Sequence, residues 1–188
     1  MQRRNISLEV ELKIVFKDFL FLNENEIRDI LELRNQKNIR ENMINSEIIS
    51  LENHFNFIDS LQNLTNKRYF AIFSEDELLG SVNFIKDKEL SWGLYFKDEV
   101  NPILKSLSVY IFLDFIFSSF DENINSFIKK SNLQALSFNK NFGFKIFKED
   151  EEYFYLQLSK QTWQKHKDSK LLKPIKRYLD KIEHQFKD

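Results

Sequence analysis

The order of strand-like and helix-like segments constrains the fold of this chain more than any other feature. Alternating apolar residues predict strands at 8–22, 68–74, 78–85, 89–96, 124–129, 144–147 and 153–158. Capping residues and helical spacing predict helices at 23–35, 50–61, 102–119 and 132–141. The resulting order is strand, two helices, a three-stranded antiparallel meander, helix, strand, helix and hairpin. This order predicts a mixed α/β layer.

Composition excludes several classes of protein. A chain of 188 residues is one domain, or one domain with an appendage. Its 28 basic and 29 acidic residues nearly cancel, so no nucleic acid partner is expected. The lack of cysteine excludes a disulfide scaffold, a thiolate metal site and a cysteine nucleophile. The three histidines are far apart in sequence, which argues against a histidine-rich metal site.

The sequence favours a soluble, cytoplasmic protein without an integral membrane segment. The basic start is followed by alternating apolar and charged residues, which predict a strand and not a signal peptide. The longest apolar run, residues 109–117, is interrupted by Asp114. It is shorter than the ~20 residues that a membrane helix needs.

Residues 160–188 differ from the main domain, residues 1–159, in composition. They carry nine basic residues against four acidic ones and predict a basic amphipathic helix with Pro174 in its first turn. Its predicted apolar stripe consists of Leu171, Leu172, Ile175, Tyr178, Leu179, Ile182 and Phe186. Two interpretations stay open: packing onto the domain or a dimer partner, or contact with an anionic membrane or an acidic partner.

From residue 12 to 158, the element order resembles the fold of the GCN5-related N-acetyltransferases. Gly80 matches the glycine after the first turn of the meander, and Gly93 lies on the strand that splays in that family. The segment from Asn132 through Ala135 to Gly143-Phe144 is similar to the family's C-terminal signature, although a glycine ending a helix is common. The resemblance implies a mostly antiparallel mixed sheet flanked by helices, to which the C-terminal helix is added. It also implies acetyl coenzyme A as the cofactor.

The resemblance also implies a coenzyme site with a modified phosphate loop. Residues at the splayed strand would hold the pantetheine arm, and a loop before the next helix would hold the pyrophosphate through backbone N–H groups. Both glycine positions of that loop carry serine, and its leading Arg/Gln position carries Ile103. Coenzyme binding by a remodelled loop and loss of binding therefore both stay open. The implied coenzyme residues are Leu94, Tyr95, Phe96, Lys105, Ser106, Leu107, Ser108, Asn132 and Ala135.

A string of matches in the first third of the chain is similar to one branch of that family. This branch comprises the amino-sugar N-acetyltransferases of the pseudaminic acid pathway, which supplies sugars to flagellin. In it, residues at the positions of Arg34, Met43, His54 and Phe57 line the sugar-nucleotide pocket. Guanidinium and imidazole groups suit phosphate, and Met and Phe suit a ring or a methyl group. Structural explanations compete: Arg34 at a helix C-terminus, a half-buried histidine, and Met43 and Phe57 in the core.

The sequence departs from the family at the position of the general acid. A tyrosine there usually protonates the leaving thiolate, and this chain has Asn139 instead. A carboxamide can donate a hydrogen bond but cannot act as a general acid. Phe127 occupies a position where some members carry a glutamate, and Tyr95 and Tyr110 are the nearby tyrosines.

The predicted function is acetyl-coenzyme-A-dependent acetylation of the free amine of a nucleotide-linked amino sugar. One alternative is a non-catalytic descendant that binds a sugar nucleotide or a partner protein. A further alternative is a protein N-terminal acetyltransferase. A homodimer through the C-terminal helix or a sheet edge is compatible with all three.

Overall fold

One sheet of eight strands organises residues 12–187, which the computed structural model describes. The strands lie in the order β6-β7-β5-β4-β3-β2-β1-β8. They are β1 (Lys13–Asp18), β2 (Lys67–Ser74), β3 (Glu77–Lys86), β4 (Leu90–Phe96), β5 (Ile124–Lys129), β6 (Lys145–Glu149), β7 (Tyr153–Leu158) and β8 (Glu183–Lys187). Only the β4–β5 and β1–β8 pairs are parallel. The predicted mixed, mostly antiparallel sheet is confirmed, while residues 8–11 of the first predicted strand lie outside the described residues.

Helices cover both faces of the sheet. They are α1 (Glu24–Asn35), α2 (Lys37–Arg40), α3 (Leu51–Ser60), α4 (Pro102–Ser119), α5 (Leu133–Asn141), α6 (Lys160–His166) and α7 (Lys173–Leu179). Strand β2 shows the division, because Phe70 and Ile72 pack with α4 and α5, whereas Ala71 and Phe73 pack with α1, α2 and α3. Successive side chains of a strand point to opposite faces, so both faces of β2 are buried.

The helix boundaries follow from capping chemistry that the sequence displays. Asn23 and Glu26 form a complete capping box at the start of α1. Ser50, Asn101 and Asn132 each accept a backbone N–H in the first turn of α3, α4 and α5. After α5, Gly143 has φ +93°, a left-handed conformation that glycine adopts without steric cost.

Helix α4 is the most apolar helix of the fold. Within residues 12–187 it alone is long and apolar enough to cross a membrane by length and composition, with a mean hydropathy of 1.3. Half of its span is buried inside the protein, as in the core helices of globular proteins. Asp114, which interrupts the apolar run, accepts hydrogen bonds from Trp163 Nε1 (2.7 Å) and Lys167 Nζ (3.0 Å). This carboxylate therefore attaches the C-terminal residues to α4.

The prediction of one amphipathic helix after residue 159 is wrong. Those residues form α6, α7 and then β8, which pairs in parallel with β1. Pro174 does lie in the first turn of α7. The helical part of the predicted stripe ends at Leu179, where α7 ends. Phe186 lies in β8 and stacks on Phe16 and Phe115, with ring centroids 4.5 and 4.1 Å apart. The domain boundary at residue 159 stays a prediction, although the extension contributes to the same sheet.

We expect Trp163→Ala to lower the free energy of unfolding by about 3–5 kcal/mol, because the indole is fully buried and its N–H binds Asp114. Tyr178→Ala is the matched control: this ring lies in the same extension but is 45% exposed, so its loss should change stability by about 0.5 kcal/mol or less. Urea denaturation measures both. Equal effects of the two variants would show that the extension is not docked on α4.

Candidate active site

A wedge opens between β4 and β5 at the centre of the sheet. The two parallel strands pair only at Leu90 with Ile124 and at Ser91 with Asn125. From Trp92 onward β4 has no register partner on β5, although it stays paired with β3 as far as Phe96. The backbone groups of β4 that would have bonded β5 are therefore available to a ligand.

A cavity of about 280 Å³ fills this wedge, and both strands line it. Strand β4 contributes Trp92 through Phe96, and β5 contributes Ser126 through Lys129. Helix α5 closes one side with residues that include Ala135 and Asn139. Leu107 and Tyr110 are buried in the core and do not line the cavity, so the predicted wedge is open.

Helix α2 and the residues that follow it close another side of the cavity. Asn38 Nδ2 donates to Asp98 Oδ2 (2.8 Å), and Lys129 Nζ donates to the Glu41 carbonyl oxygen (2.7 Å). These two bonds attach α2 to the loop after β4 and to the end of β5. The sequence predicts a polar loop or a short helical turn at residues 38–49 and indicates a role at the site only for Met43, so it does not reveal this contribution.

The structure corrects the predicted pyrophosphate loop. Ser106, Leu107 and Ser108 lie inside α4, where backbone N–H groups bond carbonyls one turn earlier. Leu107 and Ser108 are 0% exposed, and Ser108 Oγ donates to the Leu104 carbonyl. Without glycines, the chain is already helical from Pro102, so no loop forms here. Lys105 does line the cavity, and its Nζ donates to the Asp98 carbonyl (3.2 Å).

The other predicted coenzyme residues lie together around the cavity. Leu94, Tyr95 and Phe96 line it from β4, and Asn132 and Ala135 line it from the start of α5. Asn132 Oδ1 accepts the backbone N–H of Ala135 (3.0 Å), which fixes the first turn of α5. The free edge of β4 also lines this cavity, and its backbone groups can bond the amide groups of an elongated ligand.

Asn139 presents an unpaired acceptor at this cavity. It is 5% exposed, and its Nδ2 donates to the Ala135 carbonyl (2.9 Å). Its Oδ1 is buried without a partner among the described residues. A buried acceptor without a donor costs about 1–3 kcal/mol, which a ligand N–H would offset.

Tyr95 is the tyrosine that lines the cavity within the described chain, whereas Tyr110 packs against Trp163 with ring centroids 5.0 Å apart. Burial raises the pKa of Tyr95 to about 12, although a hydrogen bond with Ser81 and the charge of Arg34 act in the opposite direction. A phenol with this pKa is a weak proton donor to a thiolate, whose thiol has a pKa of about 8.5. Tyr95 is thus suited to donate a hydrogen bond but poorly suited to protonate sulfur.

The predicted substrate residues are divided between two places. Met43 lines the cavity, but Arg34, His54 and Phe57 do not. Arg34 Nη1 and His54 Nε2 are buried without a hydrogen-bond partner among residues 12–187. Burial lowers the pKa of both groups. The interaction with Tyr95, which lines the cavity, acts on the pKa of Arg34 in the opposite direction.

Comparisons with known proteins connect this geometry to a family. No model of a known protein family matches the sequence. Acetyltransferase PseH of Campylobacter jejuni is 28% identical over 151 residues, covering 77% of this chain and 93% of PseH. The crystal structure of PseH in complex with acetyl coenzyme A has a TM-score of 0.63 at 25% identity and covers 78% of this chain and 99% of PseH. In sequence and in fold, the chain is similar to the GCN5-related N-acetyltransferases.

A second solved structure supports the same fold for this acetyltransferase. FdhC, a nucleotide-linked sugar GNAT in its apo form, has a TM-score of 0.64 at 22% identity, covering 78% of this chain and 88% of FdhC. The predicted family and fold are confirmed. The roles of individual site residues stay predictions.

We expect the stability of this acetyltransferase to decrease as the pH falls below about 6.5, partly because of His54. Burial lowers the pKa of His54, so in this range the unfolded chain binds a proton that the folded chain excludes. His54→Phe should reduce the loss of unfolding free energy between pH 7.5 and 5.5. His184→Gln, on the exposed strand β8, should leave it unchanged. Urea denaturation at both pH values is the measurement, and equal losses in wild type and His54→Phe would contradict the assignment.

Proposed function

We propose that this protein is an N-acetyltransferase that uses acetyl coenzyme A and acts on the free amine of a nucleotide-linked amino sugar. The observation that carries the proposal is the open wedge beside β4. Nitrogens of Arg34 and His54 that are buried without a partner among the described residues support it. The wedge suits a thioester-bearing arm, and the two cationic or hydrogen-bonding side chains suit a phosphorylated acceptor. The relationship to PseH and the fold shared with FdhC agree with this acceptor class.

The residues that would hold the coenzyme are those on the free edge of β4 and at the start of α5. Leu94, Tyr95 and Phe96 present backbone groups to the pantetheine arm, and Asn132 fixes the turn opposite them. Lys105 supplies a positive charge in place of the absent glycine loop. When bound, acetyl coenzyme A supplies an acetyl group activated as a thioester.

The chain positions both reactants but offers no general acid at the usual place. Transfer forms an amide bond to the acceptor nitrogen and releases the coenzyme thiol, so one proton leaves nitrogen and one reaches sulfur. Asn139 cannot supply that proton, and Tyr95 is a poor donor of it because its pKa is high. Placing the amine against the thioester can still provide a large acceleration. We infer a slow enzyme whose thiolate is protonated by water.

The helical conformation of residues 106–108 favours a second candidate, a non-catalytic protein that binds a sugar nucleotide. The pyrophosphate loop is replaced by helix, which removes several backbone donors from the anion. The two candidates differ in coenzyme affinity.

We propose a cytoplasmic location, because nucleotide sugars and coenzyme A are cytoplasmic metabolites of such pathways. A homodimer would use a sheet edge, and β6 and β8 are the outer strands of the described sheet. The extension from residue 160 supplies one of these edges, β8, and would be part of an interface formed there.

We expect the protein to bind coenzyme A with micromolar affinity and to add one acetyl group to a UDP-linked amino sugar. Calorimetry measures the first, and mass spectrometry after incubation with acetyl coenzyme A measures the second. Lack of acetylation over hours at high enzyme concentration would exclude the proposed activity. Sugar-nucleotide binding without coenzyme binding would instead support the non-catalytic candidate.

We expect Asn139→Tyr to raise kcat by about 10-fold or more, because a phenol at this position can protonate the thiolate. Asn139→Phe is the matched control, since it introduces the same ring without the hydroxyl group. Steady-state kinetics with calorimetry distinguish the two. An equal response of both variants would mean that ring size, and not proton donation, determines the rate.

A further inference from the structure

Two arginines converge on one segment of backbone that follows α2. Arg34 Nη2 donates to the Asn45 carbonyl oxygen (2.6 Å), and Arg40 Nη1 donates to the Ser46 carbonyl oxygen (2.9 Å). The two carbonyls belong to consecutive residues, so the guanidinium groups approach the same short stretch of chain. Arg34 comes from the last turn of α1 and Arg40 from the end of α2.

The charge of this arginine pair is not balanced by protein carboxylates. Neither Arg34 nor Arg40 forms an ion pair with an acidic side chain of residues 12–187. The proximity of Arg40 is one of the causes that lower the pKa of Arg34, after burial. Two guanidinium groups that face neutral carbonyl oxygens form a site for an anion with more than one charge.

The segment that the arginines hold is weakly attached to the rest of the fold. Its other anchor is Asn35, whose side chain exchanges two hydrogen bonds with the Ile49 backbone. Ile44 and Ile48 are 78% and 70% exposed, so the segment buries little apolar surface of its own. Few buried contacts mean a low free energy of local opening.

We propose that Arg34 and Arg40 together bind the diphosphate of the nucleotide-linked acceptor, which replaces the Asn45 and Ser46 carbonyl oxygens as their hydrogen-bond acceptor. This proposal rests on the proposed function and adds Arg40 as a residue that recognises the second phosphate. Charge-assisted bonds to phosphate are stronger than bonds to a neutral carbonyl, which favours the exchange. Arg34 Nη1 is buried without a partner among the described residues, and movement of the segment would expose it to the diphosphate.

Calorimetric titration with UDP and UMP tests the arginine pair, because the two probes differ by one phosphate. The wild type should bind UDP more tightly than UMP. Arg40→Gln should weaken UDP binding by about 10- to 100-fold and UMP binding less, so that the preference for UDP shrinks. Arg40→Lys keeps the charge but loses the planar fork, and should give an intermediate preference.

Lys37→Gln is the matched control, because it removes a positive charge from the same short helix without changing the pair. Its UDP and UMP affinities should equal those of the wild type. Acetyl coenzyme A affinity should be unchanged in Arg40→Gln, which shows that the variant is folded and that the coenzyme diphosphate binds elsewhere. Loss of coenzyme affinity with UDP affinity retained would assign Arg40 to the coenzyme and overturn the proposal.

The outcomes separate this proposal from the proposed function. If wild type and Arg40→Gln acetylate the amino-sugar nucleotide alike and keep the same preference for UDP over UMP, the arginine pair is wrong and the function stands. An equal loss for UDP and UMP would mean that Arg40 only holds the backbone segment, which also overturns the proposal. If the wild type neither binds UDP nor acetylates the sugar, both the arginine pair and the proposed function are wrong.

Discussion

The splay of β4 from β5 is the constraint on which the site depends. After two residue pairs the parallel ladder stops, and the freed edge of β4 faces a cavity instead of another strand. Contacts on both sides hold this opening. Trp92 stacks on Phe144 with ring centroids 4.9 Å apart. On the other side, hydrogen bonds with Asp98 and Lys129 attach α2 and the residue that follows it to the loop after β4 and to the end of β5. Unpaired backbone groups would be costly in a closed sheet, so their position identifies where a polar ligand belongs.

Buried side chains also carry polar atoms without a partner among the described residues. Among the described residues, the buried side-chain atoms without a partner are Arg34 Nη1, His54 Nε2 and Asn139 Oδ1. Two are nitrogens of basic groups on the α1–α3 face, and the third is an acceptor at the cavity. Packing of the protein interior normally satisfies such groups. Arg34 and His54 thus keep unpaired nitrogens on the α1–α3 face, whereas Asn139 keeps an unpaired oxygen at the cavity.

The C-terminal extension has a structural role in the sheet of this protein. The PseH matches span nearly all of PseH but 77–78% of this chain, so this protein carries residues beyond that shared length. Strand β8 covers the outer edge of β1, and Phe186 joins the aromatic stack that α4 builds on the sheet. Covering an edge removes a surface that would otherwise pair with other chains. The extension thereby leaves β6 at one outer side of the described sheet and a short, charged strand at the other.

Local signals in the sequence determined most of the fold: Asn23, Ser50 and Asn132 as caps and Pro102 as a helix start placed the helices, and period-two alternation placed the meander. Such features act within a few residues, so they can be read without the tertiary structure. The helical state of residues 106–108 and the strand at 183–187 depended on tertiary context. Absent glycines let α4 extend through the expected loop, and the edge of β1 gave residues 183–187 a strand to pair with. The sequence could place Arg34 and His54 on helices, but only packing decided that a nitrogen of each would be buried without a partner among the described residues. Packing also decided that Arg40 would bond the residue next to the one that Arg34 bonds.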